Sequence, residues 1–196
     1  MGRAAVGSRR SGSVEGRGVQ TIGLVLRRGR QRNQGGAPRT VRTHTPVKGS
    51  QPAGQVVSAV VVDASVWLAA QDAGDRYSAL SRDFFAHAVT TGTMIHVPAY
   101  ARVEIACALA RRLRSAAQGQ RLSQLVLTAA NATEQPVNAA LLAKALTSGT
   151  ARFLRGADAL YAATADTTAC ELVSWDREHV QRAGAMTPGQ WLAANR

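Results

Sequence analysis

The composition of the chain breaks near residue 55, and that break decides which part of it is able to fold. Residues 1–55 take 11 of the 18 Gly and 3 of the 6 Pro, and they contain no Trp, Tyr or Phe. Such a stretch cannot bury enough apolar surface to offset the entropy of ordering it, so disorder is expected there. The fold must be built from residues 56–196. Charge divides at the same place. The first 55 residues set 11 Lys/Arg against Glu15 alone, which supplies +10 of the formal +12; the rest set 13 against 11 acids. A polycationic arm of this kind binds phosphate backbones without regard to sequence. A solvated extension, or a start codon assigned too far upstream, accounts for the same composition.

Targeting signals fit poorly. Gly23-Leu24-Val25-Leu26 is too short for a signal-peptide core, and Arg27-Arg28 follows where a small-residue cleavage site belongs. Arg9-Arg10 leads into Ser-Gly-Ser rather than an apolar stretch. An Arg-rich, acid-poor start does share the composition of an organelle transit peptide. No apolar run approaches the ~18 residues of a membrane span, so no membrane partner is expected. Cys107 and Cys170 lie in apolar surroundings. They are expected to be small buried residues in a reducing cytoplasm rather than a disulfide or metal pair.

From residue 56 the texture becomes Ala, Val and Leu with regular punctuation. The β-branched run 56–62 predicts a buried strand. Helices are predicted over 64–71 and 76–90, the second with Tyr77, Leu80, Phe84 and Ala88 inward, then a short strand over 94–97 stopped by Pro98. One long helix is predicted over 100–118, with Val103, Cys107, Ala110 and Leu113 toward the core. Further helices follow over 122–130, 137–146 (stopped by Gly149) and 157–165. A strand over 172–175, a helix over 177–182 and a small last strand from Met186 complete the reading. Short strands alternating with helices imply an α/β domain with a parallel sheet.

Four acids stand where an apolar segment meets a turn or the start of a helix: Asp63, Glu104, Asp158 and Asp176. In an open parallel sheet, ligands bind beyond the carboxyl ends of the strands. Asp63 and Asp176 fall at such ends, Asp158 opens a helix and Glu104 follows the strand that Pro98 ends. Gathered into one crevice, the four would repel one another and favour protonation unless a cation were present. Magnesium, or manganese in its place, is the natural partner for an all-oxygen donor set. Taken singly, Asp158 and Asp176 serve equally well as helix caps, Asp63 as a turn residue, and Glu104 as a surface partner of Arg102 or Arg111. His44, His87, His96 and His179 show no HExxH spacing, and GxSxG, Walker and CxxC motifs are absent. Gly16-Arg17-Gly18-Val19-Gln20-Thr21 comes near a dinucleotide fingerprint but has no strand before it. An Asp-x-Asp phosphatase pair is ruled against by Ser65 in the second position.

Four segments, in this order and at these distances, resemble PIN-domain nucleases: Val61-Val62-Asp63-Ala64-Ser65-Val66, Pro98 to Ala106, Gly156 to Ala163, and Ser174-Trp175-Asp176-Arg177-Glu178. Among those nucleases the similarity is greatest to VapC-type toxins of bacterial toxin–antitoxin pairs, and it spans about residues 57–196. The resemblance implies a three-layer α/β/α fold, a dimer, metal-dependent endoribonuclease activity, and a small antitoxin partner over the acidic groove. It assigns Asp63, Glu104, Asp158 and Asp176 to one or two magnesium ions, with Ser65 and Ser174 orienting a carboxylate or a water. Arg111, Arg112, Arg114, Arg152 and Arg155 are the candidates for holding RNA phosphates. Cys107 stands where the family often has Asn. A housekeeping RNA-processing nuclease, or a non-catalytic RNA-binding module of the same fold, is the alternative function.

Overall fold

The computed structural model describes residues 58–130 and 132–196; the basic extension predicted over 1–55 lies outside the described residues. The domain is organised around β1 (Ala59–Val62), in which Val60, Val61 and Val62 are all fully buried. Neighbouring side chains on a strand point to opposite faces, so both faces of the sheet must be covered. β1 lies between β2 (Met94–Pro98) and β4 (Glu171–Val173), with β3 (Ala132–Gln135) outside β2. Every pairing is parallel, and Val62 stands beside Val173 in the register. Helices separate the strands in the chain and cover the sheet, giving the three-layer α/β/α arrangement of the expected fold class.

Local chemistry sets the helix limits. α1 (Ala64–Ala70) follows β1 at once, capped by Asp63. α2 (Ser78–Thr91) ends on Gly92, whose φ of 70° forms a left-handed cap that glycine adopts without strain. The long helix predicted over 100–118 is in fact two. α3 (Tyr100–Leu113) stops at Arg114, which takes φ 53°, and Ser115 then caps α4 (Ala116–Ala129) by accepting from the Gln118 amide. Its buried face is also different from the expected one. Ala101, Ile105 and Leu109 are buried, whereas Val103 is 56% exposed and Cys107 is exposed. An alanine-rich helix with small apolar residues all round offers several faces to a periodicity argument, and the phase chosen was the wrong one. In α2 likewise, Ser81, Phe84 and Ala88 are buried while Leu80 is 43% exposed. Cys170 is only partly buried.

α5 (Ala139–Ala151) and α6 (Gly156–Thr168) follow, then α7 (Arg177–Arg182) and α8 (Pro188–Asn195). The expected last strand is reduced to a single bridge between Val173 and Met186. Beyond it, Thr187 and Gln190 close a capping box with Pro188 in the first turn of α8. Among the described residues no helix is long and apolar enough to cross a membrane.

Gly149 does not stop α5; the helix runs two residues past it. Its role is contact, since a Cβ at this position would lie 2.5 Å from the Cβ of Ala159 on α6. Gly149→Ala gains about 1 kcal/mol of helix propensity but forces α5 away from α6, at a cost of about 1–3 kcal/mol. We expect a net loss of stability, read as a lower urea midpoint. A raised midpoint would show that α5 is not locked against the helix carrying Asp158.

Candidate active site

Four chain segments converge at the carboxyl ends of β1 and β4. Asp63 leaves β1 in extended backbone, and its amide donates to the Val173 carbonyl at 3.0 Å, so the two strand ends are tied together. The residue is 5% exposed. Its Oδ2 accepts from the Ser65 hydroxyl at 2.5 Å and from the Ser174 hydroxyl at 2.7 Å. Oδ1 makes no hydrogen bond among the described residues, which leaves that oxygen for a ligand. Ser65 in turn accepts from the Trp175 amide, and Ser174, fully buried, accepts from the Asp176 amide. Both hydroxyls singled out in the sequence therefore hold the Asp63 carboxylate.

Asp176 caps α7 with Oδ1, accepting from the Glu178 amide at 2.7 Å. Asp158 sits in the first turn of α6, where the helix dipole favours a negative charge. Glu104 lies in the second turn of α3, and Oε2 accepts from the Tyr161 hydroxyl at 2.8 Å. One open cleft is lined by Asp63, Glu104, Asp158 and Asp176, together with Ser65, Leu68 and Arg155. The four acids are brought together.

The arginines diverge. Arg155 turns onto the acids: Nε contacts Asp158 at 2.8 Å and a terminal nitrogen contacts Asp176 at 2.7 Å. Arg152 pairs with Asp166 and Arg112 with Asp72. Arg111 and Arg114 lie exposed at the end of α3. Glu104 does not use Arg102, which pairs with Glu134.

Two residues that the sequence reading passed over belong to the site. His179 is fully buried between Asp63 and Asp158. Its Nε2 faces the Asp158 carbonyl at 3.1 Å and must donate, because a carbonyl only accepts. Its Nδ1 faces the Ser174 hydroxyl at 3.1 Å, whose own proton goes to Asp63. With that proton on Asp63, Nδ1 donates as well, and the two neighbouring carboxylates favour the doubly protonated ring. The contact from Nδ1 to Asp63 is 3.7 Å, an ion-pair distance rather than a hydrogen bond. Tyr161, three residues after Asp158, shares its helix face; that spacing was visible in the sequence. His179, three after Asp176, carried the same signal.

The electrostatics follow from this arrangement. Burial alone would raise Asp63, but His179 and the two serine hydroxyls outweigh it and hold the carboxyl below its usual value. Burial would lower His179, and the Asp63 and Asp158 carboxylates outweigh it in the other direction. Glu104 is raised by burial and by the charges of Asp63 and Asp158. Asp158 is raised by burial despite His179 and Arg155. Burial and the neighbouring acids keep the Tyr161 hydroxyl protonated, as a donor to Glu104.

An all-oxygen set of this kind suits a hard divalent ion, and a cation already stands among the acids in the form of the Arg155 guanidinium. As the side chains lie, no three His, Cys, Asp or Glu among the described residues are placed to hold an ion. Arg155 engages two of the four acids. The donor chemistry fits a divalent ion.

The two sets of shifts have opposite consequences for stability. A raised Glu104 means that the fold loses stability as pH climbs from the ordinary Glu range through the folded-state value. A lowered Asp63 contributes stability that is present above the ordinary Asp value and lost as pH falls through the folded one. In EDTA at neutral pH, Glu104→Gln should therefore raise the melting temperature. Asp63→Asn, which leaves the buried imidazolium without its carboxylate, should cost at least about 2 kcal/mol. Denaturant titration of both variants checks the signs, and equal losses would refute this charge assignment.

The fold and the cleft have known counterparts. No curated protein matches the chain by sequence. Among solved structures, PAE2754 from Pyrobaculum aerophilum is 24% identical and superposes with a TM-score of 0.51, over 70% of this chain and 96% of that one. Mycobacterium tuberculosis VapC20, described as a sarcin-ricin loop cleaving toxin, is 19% identical with a TM-score of 0.54, over 65% and 96%. At these identities the likeness is one of fold. The model of the PIN domain matches residues 60–185, which takes in all four strands but for Ala59 of β1, all four acids and His179, and the chain belongs to the PIN-domain family.

Proposed function

We propose that the protein is a metal-dependent endoribonuclease acting as the toxin of a type II toxin–antitoxin pair, with residues 56–196 as its nuclease domain. The observation that carries this reading is the convergence of Asp63, Glu104, Asp158 and Asp176 in one cleft. Carboxylates are seldom gathered at such cost unless a cation uses them. These four would hold magnesium, or manganese in its place. When bound, the ion supplies Lewis acidity, lowering the pKa of water and neutralising charge on a phosphodiester.

The chain's own residues supply position. Ser65 and Ser174 fix Oδ2 of Asp63 and so aim the other oxygen. Tyr161 holds Glu104 by one oxygen in the same manner. His179 keeps Asp63 ionised at neutral pH. Arg111 and Arg114, exposed at the end of α3, would be available to RNA phosphates, and the basic extension 1–55 would add non-specific affinity. A small antitoxin protein, a homodimer and a cytoplasmic setting complete the toxin reading.

The test is cleavage of total cellular RNA by the full-length protein in magnesium, manganese and EDTA, with new 5′ ends mapped by sequencing. Discrete, metal-requiring cuts are expected, reduced more than about 100-fold in Asp63→Asn and Asp158→Asn. Ser174→Ala keeps all four acids but removes the hydroxyl that bonds Asp63, His179 and the Asp176 amide, and should lose about 10- to 100-fold. Cuts that survive both acid variants would place the activity elsewhere. A folded protein that cuts nothing would favour a non-catalytic RNA-binding module. Co-purification with the product of an adjoining small reading frame would separate toxin from housekeeping nuclease.

A further inference from the structure

Arg155 is the N-cap residue of α6, yet its side chain makes no cap and reaches across the mouth of the cleft. Nε meets Asp158 at 2.8 Å and Glu178 at 3.2 Å, and a terminal nitrogen meets Asp176 at 2.7 Å. The side chain is 64% exposed, while Asp158 beneath it is 12% exposed and Asp176 32%. The guanidinium thus lies over the acids from outside rather than being buried among them. Its backbone amide donates to Glu178 at 3.2 Å, and that anchor does not depend on where the side chain points. Glu178 also has a second cation in Arg182, at 3.5 Å.

We infer that Arg155 is an exchangeable internal counter-ion: its guanidinium neutralises Asp158 and Asp176 until a divalent cation displaces it. The inference rests on the metal reading of the cleft. Exposed ion pairs are individually weak, so the guanidinium offers little resistance to a divalent ion that needs the same oxygens. Once displaced, it remains anchored at the rim through its backbone. From there a planar fork of donors is suited to a phosphate oxygen pair. Arg155 would then be a positioning residue for RNA only in the loaded protein, so that metal entry and substrate capture are linked.

The experiment is manganese binding to the full-length protein, followed by calorimetry and by the paramagnetic signal of free Mn2+, without RNA. Wild type, Arg155→Ala, Arg155→Lys and Arg152→Ala are compared, with melting temperatures in EDTA and in excess manganese. Arg152→Ala removes one positive charge outside the cleft and controls for net charge. Arg155→Ala should bind manganese about 3- to 30-fold more tightly, the combined worth of two or three exposed pairs. Its melting temperature should fall in EDTA and gain more from manganese than wild type does. Arg155→Lys, which keeps the charge and loses the fork, should fall between and guards against a misfolded alanine variant. Binding by Arg155→Ala with none measurable in wild type would be the strongest support. Equal or weaker binding by a folded Arg155→Ala, with wild type still binding, would overturn the exchange and leave the metal reading intact. No binding by any of the four proteins would overturn both.

Discussion

Two carboxylates buried close together stay ionised only with a positive charge between them, and His179 is placed to supply it. As whole residues Asp63 and Asp158 are 5% and 9% exposed, and the ring of His179, wholly buried, stands within 4 Å of both. Without it, each acid would be expected to take up a proton or move to solvent. Ser174 relays the arrangement by giving its proton to Asp63 and accepting from both His179 and the Asp176 amide. One hydroxyl therefore fixes β1, β4 and α7 at a single point. The cleft is a consequence of this knot, because the acids it holds are the ends of the elements it joins.

Around the knot the acids divide by what stabilises them. Asp63 is secured from within, by serines and the imidazolium. Asp158 and Asp176 are secured partly from outside, by an exposed guanidinium. Glu104 is held by the Tyr161 hydroxyl, with a weaker attraction to His179, and keeps the repulsion of its neighbours. A site whose charge balance is firm at the base and loose at the rim is suited to taking up a cation at the rim. Asp63 and Asp176 themselves occupy ordinary extended backbone as helix caps.

What could be read in the sequence was the part governed by local chemistry. Val60 to Val62 could only be a doubly covered strand, and the helix over 177–182 has the limits expected of it. Asp63 and Asp176 were visible because a capping acid after an apolar run is a local event. What escaped depended on contacts far apart in the chain. β3 has the unremarkable sequence Ala-Thr-Glu-Gln and is a strand only because β2 offers it an edge. The break at Arg114 needs a left-handed residue that no glycine announced. His179 has no meaning as a site residue until Asp158, 21 positions earlier, is folded against it. Arg155 stands in the sequence as one of five candidates for RNA phosphates, and nothing in its neighbours says that it turns onto the acids.

The parallel topology has a further consequence, one of timing. A parallel sheet has no hairpins, so each strand waits for a partner made much later. Asp63 is synthesised more than a hundred residues before Ser174 and His179, and β1 cannot meet β4 until both have left the ribosome. At ordinary rates of synthesis that interval lasts several seconds or more. A nascent chain that is only partly made carries scattered acids and no cleft. For a protein whose proposed work is to cut RNA, the machine that builds it is shielded from its product until the last fifth of the domain has emerged.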